Sequence, residues 1–289
     1  MRLGVIFPQT EIGTDPHVIR DFAQAVEGMG YDHLVAYEHV LGANLASRPG
    51  WKGFYSHRDP FHEPFVLFSH LAAVTRRLEL ATGILILPQR QTALVAKQAA
   101  EVDLLSGGRL RLGVGVGWNA VEYEALGVDF HTRGARLAEQ VKVLRALWTQ
   151  EAVTFHGRWH RIEDAGINPL PVQRPIPIWM GGAAETVLRR IGRLADGWFL
   201  SGRVPIAERA AQIERVRAYA RAAGRSSDEI GFESRLSVGG GPDDWRRAAA
   251  EWRQAGATHL SVVTMGAGLR RPEDHIQKIA SIREALRGR

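Results

Sequence analysis

The sequence has no cysteine among its 289 residues, and this absence removes several classes of protein at once. Without a thiol the chain can form neither a disulfide-stapled secreted scaffold nor a thiolate metal site, and it has no cysteine nucleophile. Its hydrophobic runs fall short of the ~20 apolar residues that a membrane helix needs. The first ten residues lack the apolar region and cleavage site of a signal peptide. We therefore expect a cytoplasmic protein with no membrane contact.

Lysine is also scarce, with 4 lysines against 33 arginines in a chain whose formal net charge is +6. No block of five or six basic residues occurs, and no stretch interleaves bases with aromatic side chains. The arginines are spread through amphipathic segments that also contain acids. We expect an arginine-rich, solvated surface and no nucleic-acid partner.

Short apolar runs alternate with helical patterns along the whole chain. We predict strands at 2–7, 33–37, 78–87, 110–116, 176–180, 197–200, 230–238 and 259–263. Helices are predicted at 16–29, 64–75, 92–105, 133–149, 185–194, 205–223, 243–255 and 272–286. Strict alternation favours a parallel sheet with helical crossovers, and eight units fit a (β/α)8 TIM barrel in the α/β class. An open doubly wound sheet fits the pattern as well. No hydrophilic linker interrupts residues 1–289, which we interpret as a single domain.

Two segments are longer than ordinary connections. The first, residues 40–63 after strand 2, contains Trp51, Phe54 and Tyr55; the second, residues 151–175 before strand 5, contains a predicted hairpin. Active sites of such barrels form at the C-terminal ends of the strands. We expect Trp51, Phe54 and Tyr55 to bind substrate and the hairpin aromatics to form a wall or lid. Packing over the barrel rim or a dimer contact is the alternative.

Three local patterns suggest chemistry at that end of the barrel. His39 ends the second strand, where an imidazole could exchange protons at neutral pH, and Glu38 beside it could tune it. The run GVGVGW at 113–118 leaves one strand face bare, against which a flat ring could lie. Gly181 and Gly182 lead into a helix, whose N-terminal amides favour a phosphate. Together these features suit a flat, phosphorylated redox cofactor.

Other chemistries lack support in the sequence. The motifs GxSxG, HExxH and GxxxxGK[ST] are absent. His156 and His160 are four residues apart, but Gly157 and the hairpin pattern argue against a helical metal-binding pair. We predict no metal site.

Three segments resemble the bacterial luciferase-like monooxygenase superfamily, and in particular its F420-dependent oxidoreductase branch. They are GYDHLVAYEHV at 30–40, the long block from Thr82 to Gly127, and PIWMGGAAETVLRRIGRLADGWF at 177–199. The resemblance implies a (β/α)8 barrel, usually a homodimer, that binds its cofactor at the C-terminal mouth. It also implies a bulge on the third strand with a non-proline cis peptide, here at Gly83–Ile84.

The resemblance also implies roles for individual residues. Glu38 and His39 match the acidic residue and histidine of the catalytic pair, with the histidine facing the cofactor ring. Gly181 and Gly182 match the glycines that hold the cofactor phosphate. The full expected cofactor site is Thr82, Gly83, Ile84, Gly115, Val116, Gly117, Trp118, Gly181, Gly182 and Ala183.

Two departures from related enzymes bear on the cofactor and the mechanism. Many FMN-dependent members have a serine just after the glycine pair, whereas this chain has Ala183 and Ala184, which favours F420. Some sugar-phosphate-oxidising members have a glutamate where this chain has Trp118, so that acid–base role does not carry over. Asn119 and Glu122 are nearby candidates.

The resemblance therefore predicts an F420-dependent oxidoreductase that transfers hydride between the deazaflavin and a small organic substrate. One alternative is a two-component FMN-dependent monooxygenase, which uses reduced flavin and oxygen. Another is a barrel that binds a flavin without catalysis. A flavin or F420 reductase is a candidate partner of the protein.

Overall fold

The computed structural model describes residues 1–200 and 206–287. Within these ranges the predicted alternation of strands and helices is confirmed. The strands are β1 (Arg2–Ile6), β2 (His33–Ala36), β3 (Glu79–Thr82), β4 (Leu85–Ile86), β5 (Leu110–Gly115), β6 (Val153–His156), β7 (Arg161–Ala165), β8 (Ile178–Gly181), β9 (Gly197–Phe199), β10 (Gly231–Ser237) and β11 (His259–Val263). The helices are α1 (Pro16–Gly28), α2 (Pro64–Val74), α3 (Thr92–Ser106), α4 (Ala120–Ala125), α5 (Arg133–Thr149), α6 (Glu185–Leu194), α7 (Ile206–Ala222), α8 (Pro242–Gln254) and α9 (Pro272–Leu286).

The strands close into a parallel barrel. They lie in the order β3, β2, β1, β11, β10, β9, β8, β5, and β3 pairs with β5 to complete the circle. The protein is therefore a (β/α)8 TIM barrel, as the alternation predicted, and the open sheet is excluded. No described helix is long and apolar enough to span a membrane.

The third barrel position is interrupted, which corrects the single strand expected at 78–87. β3 ends at Thr82, the Gly83–Ile84 peptide bond is cis, and β4 continues beside β5. The non-proline cis bond implied by the family resemblance is confirmed.

The helix ends follow local signals in the sequence. Asp15 caps α1 by accepting a hydrogen bond from the His17 amide at 2.8 Å, and Pro16 occupies the first turn. α3 ends at Gly107, whose φ of 70° suits a residue without a side chain. The start predicted for helix 205–223 falls on Pro205, which lies outside the described residues.

The two insertions differ in structure. Residues 40–63 contain a short 3-10 turn, Leu45–Ser47, and otherwise follow an irregular path. The predicted hairpin is confirmed as the antiparallel pair of β6 and β7. Glu139 of α5 fixes it, accepting hydrogen bonds from the amides of Arg158 and Trp159 and from the His160 ring, at 2.7 to 2.9 Å.

The lower half of the barrel interior, toward the N-terminal ends of the strands, contains a buried ion network. Arg111 donates to Glu79 and to Glu233, each at 2.6 Å, and His33 contacts Glu233 at 3.2 Å. Burial by itself would raise the pKa of the Glu233 carboxyl, but Arg111 and His33 hold that pKa well below its usual range. An apolar layer that includes Trp179 and Phe199 covers the network, and both rings contact the Arg111 guanidinium. This apolar layer therefore separates the ion network from the upper half of the barrel interior, at the C-terminal ends of the strands.

Candidate active site

A cavity of about 550 Å³ opens at the C-terminal ends of the barrel strands. It is lined by Tyr37, Glu38, His39, Phe54, Tyr55, Gly83, Ile84, Ile86, Gly115, Val116, Gly117, Trp118, Gly181, Gly182, Phe199, Leu200 and Arg235. The volume lies in the usual range for small-molecule sites, roughly 300–1,000 Å³. The structure thus brings most of the predicted site residues together around one hollow.

Three predicted site residues do not line the cavity. The Thr82 hydroxyl is buried and donates to the Gly113 carbonyl at 2.7 Å, so it holds two strands together. Trp51 packs behind the lining, with its ring 5.8 Å from that of Trp118. Ala183 follows the glycine pair just outside the lining.

His39 is held in place by a carboxylate from α4. Its Nδ1 lies 2.8 Å from Oε2 of Glu122, which is fully buried. Oε1 of the same carboxylate accepts a hydrogen bond from the Val40 amide at 2.6 Å. Because an ionised carboxylate only accepts, the proton of the neutral ring sits on Nδ1. Nε2 makes no hydrogen bond among the described residues, and His39 belongs to the lining of the cavity.

α4 was absent from the sequence prediction, and it positions the carboxylate. The Asn119 side chain caps it, accepting from the Val121 amide at 3.1 Å and donating to the Leu41 carbonyl at 3.1 Å. Asn119 therefore links α4 to the segment after His39 and has no free group for acid–base chemistry. An asparagine three residues before a glutamate is a helix-start signal, which could have revealed both α4 and Glu122.

Glu38, expected to tune His39, makes no hydrogen bond to the imidazole among the described residues. Its carboxylate accepts from Arg90 Nε at 2.6 Å and also accepts from the Ile86 amide. Burial raises the pKa of Glu38, while Arg90 and the Ile86 amide oppose this shift. Its side chain therefore joins the end of β2 to β4.

Aromatic side chains enclose the His39 ring. The ring centroids of Tyr55, Phe61 and Trp118 lie 5.4, 4.8 and 5.3 Å from that of His39. Trp118 thus packs against the imidazole and supplies no acid. These rings restrict water at one side of the cavity, and Tyr55 and Phe54 from the first insertion form part of the wall.

The glycines of β5 have a role different from the one expected. A Cβ at Gly113 would collide with the Thr82 carbonyl at 1.9 Å, and one at Gly115 would approach the Ile84 side chain to 2.7 Å. The bare strand face is therefore occupied by the bulge of the third strand. Gly115 still borders the cavity, but Ile84 of the bulge also lines it.

Gly181 and Gly182 lie at the cavity edge where β8 leads into α6. Gly182 has a φ of 120°, which favours glycine. In the described part of the chain, no side chain caps the first turn of α6. The Glu185 carboxylate in that turn pairs with Arg215 at 3.0 Å. This helix end can accept an anion.

The second insertion does not contribute to the site. Phe155, Trp159 and His160, expected as a wall or lid, are absent from the lining of the cavity among the described residues. His160 contacts Thr92 at 2.6 Å and Glu139 at 2.7 Å, while His156 pairs with Glu163 at 2.8 Å. The hairpin therefore packs against α3 and α5.

The chain resembles known proteins over nearly its whole length. A family model described as luciferase-like monooxygenase matches residues 1–286. An uncharacterized protein of Mycobacterium tuberculosis is 38% identical over 226 residues, covering 76% of this chain and 77% of its own. An FMNH2-dependent dimethylsulfone monooxygenase of Pseudomonas putida is 34% identical over 211 residues, covering 72% of this chain and 54% of that enzyme.

Solved structures give the same fold, and their descriptions include a monooxygenase and an F420-dependent enzyme. A monooxygenase from Streptomyces bottropensis has a TM-score of 0.82 at 21% identity, covering 99% of this chain and 98% of its own. An F420-dependent secondary alcohol dehydrogenase has a TM-score of 0.80 at 16% identity, covering 99% of both chains.

The barrel and the cavity at its mouth define a class of enzymes that includes oxidoreductases and monooxygenases. This chain belongs to the luciferase-like monooxygenase family.

Proposed function

We propose that the protein is an F420-dependent oxidoreductase that transfers hydride between the deazaflavin and a small organic substrate. The observation that carries the proposal is His39 in the cavity lining, fixed by Glu122 through Nδ1, with no hydrogen-bond partner for Nε2 among the described residues. A base held in one tautomer beside such a cavity suits proton transfer coupled to hydride transfer.

The residues present fit this cofactor. The cavity of about 550 Å³ can take a planar ring, and its lining contains main chain from Gly115, Gly181 and Gly182. The uncapped first turn of α6 can receive the phosphate of the tail. Ala183 and Ala184 provide no hydroxyl group there, which is the feature that favours F420 over FMN.

When bound, the deazaflavin would supply hydride transfer through its ring C5. In the oxidation of an alcohol, His39 Nε2 would take the hydroxyl proton as the hydride leaves the adjacent carbon. In the reverse direction the same atom would return the proton to the carbonyl oxygen. Glu122 would stabilise the imidazolium formed in the first case, because its carboxylate accepts from Nδ1.

A second candidate is an FMN-dependent monooxygenase with a separate flavin reductase. It is supported by the 34% identity with the dimethylsulfone monooxygenase named above. In that case the same pocket would hold reduced FMN, and His39 would exchange protons with the flavin or substrate.

Equilibrium binding of purified protein to F420 and to FMN separates the two candidates. We expect F420 binding in the wild type and a weaker affinity in Gly182→Ala, since backbone strain at a positive φ is about 1–3 kcal/mol. Gly127→Ala is the matched control, because Gly127 also has a positive φ, of 68°, but lies in a turn away from the cavity. Tight FMN binding without F420 binding would replace the proposal with the second candidate.

Turnover tests the non-catalytic alternative. The His39→Ala variant should keep cofactor binding and lose oxidation of F420H2 by ketones and reduction of F420 by alcohols. A protein that binds F420 but turns over none of a panel of alcohols and ketones, in wild-type form, would support a binding function instead.

We also propose a homodimer. Val66 of α2 and Leu94 of α3 are 70% and 53% exposed, and their two helices pack against each other. A second copy of the chain packed on these exposed apolar side chains would bury them. The cytoplasmic location and the absence of a nucleic-acid partner stay predictions.

A further inference from the structure

Arg235 occupies an unusual position on β10. The inner face of this strand carries Glu233, Arg235 and Ser237 in alternation, with Glu233 buried in the ion network and Arg235 exposed above it. The Arg235 guanidinium lies over the Tyr37 ring, 5.2 Å from its centroid. A cation is thus held at the inner wall of the barrel mouth.

Arg235 lines both of the large cavities at this end of the barrel. One is the cofactor cavity described above, and the other, also of about 550 Å³, lies at the ends of β10 and β11. The lining of the second cavity includes Lys278 of α9, Ser237 and the backbone of Gly239 and Gly266. Two cations and no carboxylate line it among the described residues.

Neither cation is neutralised within the described part of the chain. No ion pair joins Arg235 or Lys278 to a carboxylate in residues 1–200 and 206–287. The remaining residues, 201–205 and 288–289, contain no aspartate or glutamate. The Lys278 ammonium lies 5.6 Å from the centroid of the Trp245 ring. Positive potential therefore accumulates between the two cavities, because no carboxylate of the described residues forms an ion pair with either cation.

A third cation adds to this potential. Arg209 of α7 is buried over the Trp252 ring, with 4.7 Å between its guanidinium and the ring centroid. Burial lowers the pKa of Arg209, and the charge of Arg235 lowers it further. The charges of the two guanidinium groups therefore repel each other.

The position of the second cavity separates it from the proposed cofactor phosphate site. Gly182 follows β8, whereas Arg235 and the loop after β11 lie beyond β9 in the barrel order. An anion at Arg235 would therefore sit on a different part of the rim from the cofactor tail, with the main cavity between them.

We propose that the substrate carries an acidic group, a carboxylate, sulfonate or phosphate, that binds between Arg235 and Lys278 while its reacting carbon extends into the main cavity toward His39. This inference rests on the proposed function for the identity of the reacting end. Paired cations recognise all three acidic groups by the same charge-assisted hydrogen bonds.

Calorimetric titration of the full chain with hexanoate and with hexanesulfonate tests the site, with hexanamide as the neutral control. We expect binding of both anions and none of hexanamide. Arg235→Gln and Lys278→Gln should each weaken anion binding by about tenfold, and Arg235→Lys should weaken it less. The matched control is Arg76→Gln, which removes an exposed charge before β3, at the opposite end of the barrel. Melting temperatures of all variants check the fold.

Several results would overturn the inference. The proposed anion site would be refuted if the anions bind the wild type no better than hexanamide does, or if they bind Arg235→Gln as tightly as the wild type. If Arg76→Gln loses as much anion affinity as Arg235→Gln, the loss reflects the net charge of the protein and not a specific site.

A parallel F420 titration distinguishes substrate from cofactor. Lys278→Gln should keep wild-type F420 affinity, because Lys278 lines the second cavity and is absent from the lining of the main one. An equal loss of F420 and hexanoate binding in this variant would assign the second cavity to the cofactor tail. If the wild type binds FMN and not F420, the proposed function fails, while the anion titrations still decide the Arg235 site.

Discussion

The contact between Glu122 and His39 gives the sharpest prediction. In Glu122→Gln the amide oxygen can still accept from the Val40 amide, which lies 2.6 Å from Oε1 in the wild type. The amide nitrogen then faces His39 Nδ1 at the 2.8 Å contact and can only donate. The neutral imidazole must therefore turn its proton to Nε2, and the atom that faces the cavity loses its ability to accept one.

The size of the effect follows from the hydrogen bonds to the carboxylate. Two are short, at 2.6 and 2.8 Å, and a third, from the Leu41 amide, is 3.4 Å and weak. Hydrogen bonds to a charged group contribute about 1.5–3 kcal/mol and neutral ones about 0.5–1.5. The variant should therefore lose roughly 2 kcal/mol of stability. Loss of general base catalysis lowers the rate by about 10²–10⁴-fold.

The imidazole ¹⁵N shifts of His39 measure the tautomer directly, at a pH well above the ordinary histidine pKa of ~6.5. We expect Nδ1–H in the wild type and Nε2–H in Glu122→Gln. Glu124→Gln is the matched control, since Glu124 lies on the same helix but is exposed. Glu38→Gln should destabilise the fold through Arg90 without changing the tautomer.

An Nδ1–H tautomer that persists in Glu122→Gln would refute this reasoning. So would a wild-type ring protonated on Nε2. In either case the buried carboxylate would serve only to anchor the loop after β2.

Three further predictions concern stability, assembly and the cofactor pocket. Burial lowers the pKa of His259 to about 3, so below pH ~6.5 the unfolded chain binds a proton that the folded chain does not. As the pH falls from ~6.5 to about 3, urea unfolding should show the wild type losing stability relative to His259→Gln by up to about 1.4 kcal/mol per pH unit. Parallel curves of stability against pH for the two proteins would contradict this. The double variant Val66→Glu, Leu94→Glu should sediment as a monomer, whereas the wild type should sediment as a dimer. An unchanged mass of the variant would exclude this face as the dimer interface. Gly115→Ala should push the Ile84 side chain into the cavity, cost about 1–3 kcal/mol of stability and weaken F420 binding, whereas unchanged affinity would mean that Ile84 does not border the ring.

The barrel was predictable because its signals are local and repeated. Each strand is a short apolar run, and helices begin at residues such as Asp15 and Pro16 that cap or start them. The position of His39 at the mouth followed from the end of its strand. The break at Gly83 could not be read from apolar periodicity, since the run continues through it. A glycine inside a strand pattern is typical of a bulge, and the cis peptide bond came from the family resemblance alone.

The contacts of the site were harder to predict because they join distant segments. Glu38 is next to His39 in the sequence, whereas Glu122 is 83 residues away in the sequence and contacts the His39 ring in the fold. Only the turn of the Glu38 side chain toward Arg90 decides between them. Similarly, the glycines of β5 accommodate the bulge containing Ile84, which the sequence of β5 does not reveal.

The ion network beneath Trp179 and Phe199 limits how this pocket can change. A smaller residue at Phe199 would expose the Arg111 guanidinium and its buried carboxylates to water, because that ring lies 5.4 Å from the guanidinium. Room for a bulkier reactant must therefore come from the side, where Trp118, Phe54 and Tyr55 form the wall. We expect that natural or engineered changes in reactant size among close relatives will concentrate in residues 40–63, while the depth of the pocket stays constant.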